Sequence, residues 1–275
     1  MQNGPMVLAS LLLATAFDQV VAAERAFAAD SPVLGLHGAF LAHLASDAIV
    51  FDPTPVPGPP RHKDKPPSKG TLSWGPGWVA VARSGDLGLS SGPAEFRIPG
   101  EAEPSYTGWF FSVWEKQADG AWKVRVDIGT ACPLTFAAPA SVDDALAGAE
   151  APPAKRDRSS LAAAEAKLAA DARMGLGAAL AARMDGRSRI HREGACPATG
   201  EAARALAVKD TRKLDCKPLR IELSGSGDLG YAYGSCKAVG DDPGVETGYV
   251  RAWRRLPDGS YALLADVTLN LPEKK

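Results

Sequence analysis

From residue 74 to residue 129, apolar and polar positions alternate in short runs separated by turn residues, the period of β-strands. Residues 78–83 and 86–96 read as a hairpin around Ser84-Gly85. Residues 107–116 and 121–129 read as a second, turned by Asp119-Gly120. In the last strand, Trp122, Val124, Val126 and Ile128 alternate with Lys123, Arg125 and Asp127, which predicts one buried and one polar face. The strand at 107–116 differs. Trp109, Phe111 and Val113 occupy one face and Phe110 and Trp114 the other, so both faces need cover. Its own helices supply one cover, and a second domain is the expected source of the other.

Upstream, Val20, Val21, Glu24, Phe27 and Ala28 recur at helical spacing over 18–29. Ser31-Pro32 predicts a second helix, with Ser31 as N-cap, running to about residue 45. A short strand at 48–51 follows. The segment 52–67 then carries seven prolines, a density that argues against regular helix or central strand and predicts an extended surface loop. Its basic cluster Arg61, His62, Lys63 and Lys65 reads as solvated charge. Helices followed by an antiparallel meander give an α+β order.

The pattern then repeats. Ser84-Gly85-Asp86-Leu87-Gly88 returns as Ser226-Gly227-Asp228-Leu229-Gly230. Tyr106-Thr107-Gly108-Trp109 is echoed by Glu246-Thr247-Gly248-Tyr249. The run 114–127, with Asp119-Gly120 inside it, is echoed by 253–266, with Asp258-Gly259. A repeat this long predicts two tandem domains, 17–130 and 161–271, joined by an Ala/Pro-rich linker at 131–160. In the second copy, helices at 161–174 and 176–184 match the first pair, with Glu165 and Asp171 in the places of Glu24 and Asp30. The strand at 187–191 sets His191 opposite Phe51. A helix at 201–208 stands where the first copy has its proline segment. In 261–269, Tyr261, Leu263, Ala265 and Val267 are expected on one face. Ala262, Leu264, Asp266 and Thr268 fall on the other, so Asp266 has more apolar neighbours than Asp127.

With 275 residues, each copy is long enough to bury its own core. The net charge of −1 gives no field favouring nucleic acid. Residues 6–14 are apolar, and Ala14-Thr15-Ala16 fits a signal-peptidase site. Residues 1–16 are therefore predicted to be an export signal, leaving Phe17 first and placing the protein in the periplasm or outside the cell. Residues 1–5 lack the usual Lys or Arg, so a first helix with an apolar start is the other reading. The run is too short to span a membrane. None of Cys132, Cys196, Cys216 and Cys236 forms a C-x-x-C pair. Cys216 and Cys236 lie ten residues either side of Ser226 and are expected to face each other across a hairpin. Cys196 is an alternative partner for either.

Gly225 to Gly230 spells G-x-G-x-x-G, but Tyr231-Ala232-Tyr233 continues as strand where a dinucleotide site needs a helix. The sequence holds no nucleophile elbow, P-loop or H-E-x-x-H. His37, His43, His62 and His191 do not cluster along it, so neither metal nor cofactor is expected. The repeated acids Asp127 and Asp266, on the last strand of each copy, are the candidate acid/base groups. The plainer reading is a carboxylate that closes one end of the sheet. For Asp127 that reading is the stronger, given Lys123 and Arg125 on its expected face.

These residues resemble the nuclear transport factor 2-like superfamily, in its SnoaL-like, ketosteroid-isomerase-like branch. The resemblance rests on Ala23-Glu24-Arg25-Ala26-Phe27, Ser84 to Gly88, Gly92-Pro93-Ala94-Glu95-Phe96 and residues 114–129. It covers nearly all of 20–129, and 161–269 looks like the same domain, more diverged. It implies a cone of curved antiparallel sheet wrapped around helices, with an apolar pocket at its open end. Members include isomerases, cyclases, dehydratases and non-catalytic domains, often paired through their sheets. The expectation is an exported protein, monomeric as a chain, that binds a small, mostly apolar molecule, its domains paired as an intrachain pseudo-dimer. Trp109, Trp114, Glu95, His191, Tyr231, Tyr233 and Tyr249 are the candidate pocket residues. A cofactor-independent isomerase, cyclase or dehydratase using Asp266 or Asp127 is one alternative. An interaction module without a cavity is the other.

Overall fold

The chain is described here by a computed structural model covering residues 14–149, 156–240 and 246–270. Most of the predicted export signal, residues 1–13, lies outside them. Helix α1 (Ala16–His43) opens with a capping box: the Thr15 Oγ accepts from the Asp18 N–H, and the Asp18 carboxylate accepts from the Thr15 N–H. The two helices expected here follow one another without a loop, and the break between them falls at Gly35 and not at Ser31. The chain runs on through Pro32 and bends at Gly35, whose φ of 73° suits glycine. Ser31 is no cap; its hydroxyl donates to the Leu72 carbonyl at 2.8 Å.

Strands β1 (Leu44–Phe51) and β2 (Pro55–Pro57) and helix α2 (Gly58–His62) come next. The proline segment is thus more ordered than its composition suggests. β2 pairs antiparallel with β1, and α2 is a short turn whose prolines sit at its start, where no N–H is needed. Strands β3 (Thr71–Trp74), β4 (Trp78–Val81), β5 (Leu87–Arg97), β6 (Tyr106–Lys116) and β7 (Trp122–Ala131) complete the curved first sheet. Its order is β2-β1-β7-β6-β5-β4, with β3 also against β5. The meander is antiparallel as expected, but β1 joins β7 in parallel.

The predicted linker is docked in its first half. Strand β8 (Asp143–Asp144) extends the first sheet beside β4, and Ala145 and Leu146 pack on apolar core. Cys132 is disulfide-bonded to Cys196, not free, and Cys216 to Cys236.

The second domain runs α3 (Arg158–Ala172), α4 (Leu176–Ala181), β9 (Arg189–Arg192), β10 (Ala195–Thr199), α5 (Glu201–Ala207), β11 (Leu214–Leu223), β12 (Leu229–Ala238), β13 (Glu246–Arg255) and β14 (Tyr261–Thr268). Its sheet order is β10-β9-β14-β13-β12-β11, with β9 parallel to β14. Among the described residues, no helix is long and apolar enough to cross a membrane.

The two sheets pack face to face. Phe111, Val113, Val126 and Ile128 of the first meet Leu229, Tyr231, Val250 and Val267 of the second in one continuous apolar core. Helices cover each sheet's other face. This is the intrachain pseudo-dimer, and it explains why β6 is apolar on both sides.

One device, used in both copies, overturns the alternation expected for the last strands. The register slips by one residue between Val113 and Trp114, and again between Ala252 and Trp253. A bulge with one extra residue reverses every following side chain. Trp122 and Val124 therefore face the helices while Val126 and Ile128 face the other domain. Likewise Leu263 faces the helices, and Leu264, Ala265 and Val267 the interface. Asp127 and Asp266 both turn into their cones, and Asp127 does not share a solvent face with Lys123 and Arg125.

The repeated pentapeptide forms a hairpin turn in each sheet, with Gly85 at φ 65° and Gly227 at φ 71°. The two turns also clasp each other. Ser84 and Ser226 hydroxyls lie 2.9 Å apart, and each accepts the other residue's backbone N–H, at 3.0 and 3.1 Å. Asp86 accepts from Gly225 N–H at 2.8 Å, and Asp228 from Arg83 N–H at 3.1 Å.

Candidate functional site

Inside the first cone a carboxyl on α1 meets the sheet. Glu24 lies on the apolar stripe of the helix and is fully buried. Trp74 Nε1 donates to its Oε1 at 2.7 Å, Trp114 Nε1 to its Oε2 at 2.9 Å, and the Ser90 hydroxyl also to Oε2. All three partners are neutral. Burial pushes the Glu24 carboxyl up to about 7; the charge of Asp127 adds to this, and the hydrogen bonds oppose it.

Ser90, Ser112 and Asp127 lie side by side on β5, β6 and β7. Ser112 Oγ donates to Asp127 Oδ2 at 2.7 Å, the carboxyl's only hydrogen bond among the described residues. Asp127 is half-buried, and Gly129, two residues on, is exposed, so this face of β7 runs from the cone interior to its mouth. Burial lifts the Asp127 carboxyl to about 6, against the pull of Ser112. At the same end, the Tyr106 hydroxyl donates to the Thr130 carbonyl at 3.2 Å, and burial raises it to about 12, with help from Glu193 and Asp127. The first cone thus holds two carboxyls raised by burial, in hydroxyl and indole surroundings with no cation contacting either among the described residues.

The second cone has the same frame and different chemistry. Glu165 is buried, and Trp253 Nε1 donates to it at 2.9 Å as Trp114 does to Glu24. The register partners Ser90, Ser112 and Asp127 are replaced by Ala232, Arg251 and Asp266. Arg251 is fully buried and donates to Glu165 at 2.5 Å and to Asp266 at 3.1 Å. Arg192 donates to the other Asp266 oxygen at 2.6 Å, and Thr268 bonds the same carboxylate. Asp266 is saturated by two arginines, and Arg251 lies between its carboxylate and that of Glu165.

The other predicted residues scatter. Trp114 stands in the first cone. Tyr249 lies in the second, its ring 4.1 Å beneath the Arg251 guanidinium. Tyr231 and Tyr233 are interface core, and the Tyr231 hydroxyl donates to Glu115 at 2.7 Å. Trp109 carries the Arg189 guanidinium at 5.4 Å, and His191 is buried against Phe111 between the sheets. Glu95 pairs with Arg97 at the exposed end of β5. Ser90, Ser112 and Tyr106 were not predicted, having no pattern of their own. Glu24 had one: a carboxyl within an apolar helical stripe, repeated as Glu165. A groove of 260 Å³ also lies outside the cones beside the clasped turns, lined by Phe17, Val81, Arg83, Leu146, Asp228 and Arg254. It contains none of the cone carboxyls.

Neither a protein-family model nor a curated protein matches this sequence. Solved structures similar to part of it include three at low identity. A domain of unknown function with a cystatin-like fold from Nostoc punctiforme is 21% identical over 45% of this chain and 82% of its own, with a TM-score of 0.37. An NTF-2-like protein of unknown function from Shewanella oneidensis is 15% identical over 41% and 96%, at 0.34. A ketosteroid isomerase-like protein from Erwinia carotovora is 12% identical over 42% and 97%, at 0.35. Each spans most of its own length and under half of this chain. Nothing about activity is carried over from them at these values. The helix-filled curved sheet, present twice per chain, is the architecture that the sequence resemblance implies.

Proposed function

We propose that this is an exported protein that binds a small, mostly apolar molecule in its first cone, with Asp127 as the polar anchor. The second domain serves as a structural partner. The observation that carries this is the contrast between Asp127, which has one hydroxyl partner and is half-open at the cone mouth, and Asp266, saturated by two arginines. A protonated Asp127 donates to a ligand oxygen; the carboxylate accepts from a ligand hydroxyl. Two disulfides support an oxidising compartment.

An isomerase-, cyclase- or dehydratase-type reaction in the same cone is the second reading. It is favoured by the Asp127 carboxyl at about 6, close enough to neutrality for proton transfer.

Fluorescence titration of the full chain with 2-naphthol, an apolar ring bearing one hydroxyl, tests the binding site. Saturable binding lost in Ser112→Arg, which copies the second cone, is the expected result. Binding that survives in a folded Ser112→Arg protein overturns the assignment. Native mass spectrometry of protein from its own source then separates the readings: a bound molecule recovered unchanged fits binding, and one converted on incubation fits catalysis.

A further inference from the structure

We propose that strand β9 is an acid-sensitive latch between the two domains, in which protonation of His191 expels the imidazole from the inter-sheet core and loosens the sheet pair. The latch is independent of the ligand.

The pseudo-symmetry of the chain isolates His191. In the first domain, Phe51 ends β1 and packs on the second domain, where Gly248 leaves room for it; a Cβ there would lie 2.2 Å from the Phe51 ring. The equivalent strand of the second domain, β9, turns Arg189 and His191 toward the first sheet, where β1 turns Ile49 and Phe51. Apolar packing at one end of the interface is therefore answered by polar packing at the other. His191 is fully buried, edge-on to Phe111 at 5.7 Å, and among the described residues neither of its ring nitrogens has a hydrogen-bond partner. Trp109 Nε1 on β6, Thr130 Oγ1 on β7 and Arg189 Nε on β9 are also buried without partners among the described residues. Burying a polar ring without hydrogen bonds costs stability that a phenylalanine there would not.

Nothing near the imidazole welcomes a proton. On its own strand it is flanked by Arg189, stacked on Trp78 and Trp109, and by Arg192, bonded to Asp266 on the cone side. Glu193 is next along the chain, but its carboxylate accepts from Ala131 N–H. Across from it stand Val267 on β14 and Phe111 on β6, both uncharged. Asp143 on β8 acts on Arg189. Burial, with the charges of Arg189 and Arg192, holds the imidazole well below its ordinary 6.5.

The sign follows by linkage. An exposed His191 takes a proton near 6.5 and the docked one does not, so docking weakens as pH falls through 6.5. At pH 5.5, one unit below, the open state gains about tenfold. The β9–β10 hairpin stays tethered to the first domain by Cys132–Cys196, which makes opening local and re-docking rapid. Glu24 and Asp127, both raised, gain protons on folding in the same range and act with the opposite sign. Whole-chain stability therefore mixes the two, and the readout must be local.

Amide hydrogen exchange of β9, β6 and β7 in the full chain, corrected for intrinsic rates, is compared at pH 7.5 and 5.5 for wild type, His191→Phe and His191→Gln. The expected result is about tenfold more opening of wild type at pH 5.5, reversed on return to 7.5 and absent from both variants. His191→Gln keeps the test valid if the phenylalanine variant fails to fold. An equal rise in wild type and the folded variants, or no rise in wild type, overturns the proposal.

Discussion

The two cones of this protein share a frame and differ in their contents. Each has a glutamate on its first helix, an indole bonded to it, a bulge at the same place in the last hairpin, and an aspartate turned inward by that bulge. In the first cone the residue beside the aspartate is Ser112; in the second it is Arg251. That exchange, with Arg192 beside it, sets which carboxyls are paired with cations. Arg251 lies buried between two carboxylates in an ionic triad, which Arg192 closes on the other side of Asp266. In the first cone a serine stands there, and burial raises both carboxyls with no cation contacting them among the described residues. The second cone's carboxyls are held by arginines, the first cone's by hydroxyl and indole donors. The second domain's sheet covers an apolar face of the first.

The comparison breaks most directly at Arg251. Arg251→Ser should leave Glu165 buried with no cation beside it and Asp266 with Arg192 as its remaining cation, and cost about 3–5 kcal/mol. Ser112→Ala should cost about 1 kcal/mol. Urea unfolding of the full chain measures both, and similar costs would mean that the second triad is not the closed unit described here.

The next effect is on pH dependence. Glu24 goes from 4.5 unfolded to about 7 folded, so the folded state holds the extra proton between these values. Its contribution to stability is complete below 4.5 and lost as pH rises through 7. It amounts to roughly 3 kcal/mol across that window. Glu24→Gln should flatten the stability profile between pH 5 and 7.5. A profile unchanged by the substitution would show that Glu24 titrates normally.

A smaller difference separates the two aspartates. Asp127→Asn should change stability by about 1 kcal/mol or less, since one hydroxyl contact is altered. Asp266→Asn unbalances two arginines and should cost several times more. Equal effects on the urea midpoint would erase the contrast between the cones. Smallest is the cap: Thr15→Ala should cost about 1 kcal/mol, read as a lowered thermal midpoint. Cleavage after Ala16 would remove the same contact, so a midpoint unmoved by the substitution would show that the chain does not depend on it.

Much of the fold was legible. The repeat of Ser-Gly-Asp-Leu-Gly located two domains, the hairpins turned at Asp119-Gly120 and Asp258-Gly259 are present, and the two-faced β6 pointed to a second sheet. The site was legible only in its carboxyls. Alternation places Asp127 beside Lys123 and Arg125, because a bulge adds one residue without any mark in composition. Ser112 and Arg251 carry their meaning only through register with Asp127 and Asp266, partners fifteen residues away along the chain. The clasp between Ser84 and Ser226 was likewise hidden, since a turn sequence sets its own φ angles and not what it touches.

By itself, then, the sequence determined the elements, their order and their duplication, because periodicity and turn chemistry are local. Tertiary structure alone decided which face each residue takes after the bulge, which carboxyls meet arginines and where His191 is buried. Those outcomes depend on side chains meeting across strands and domains, where Arg251 bridges two carboxylates in one cone and Ser112 donates to one in the other.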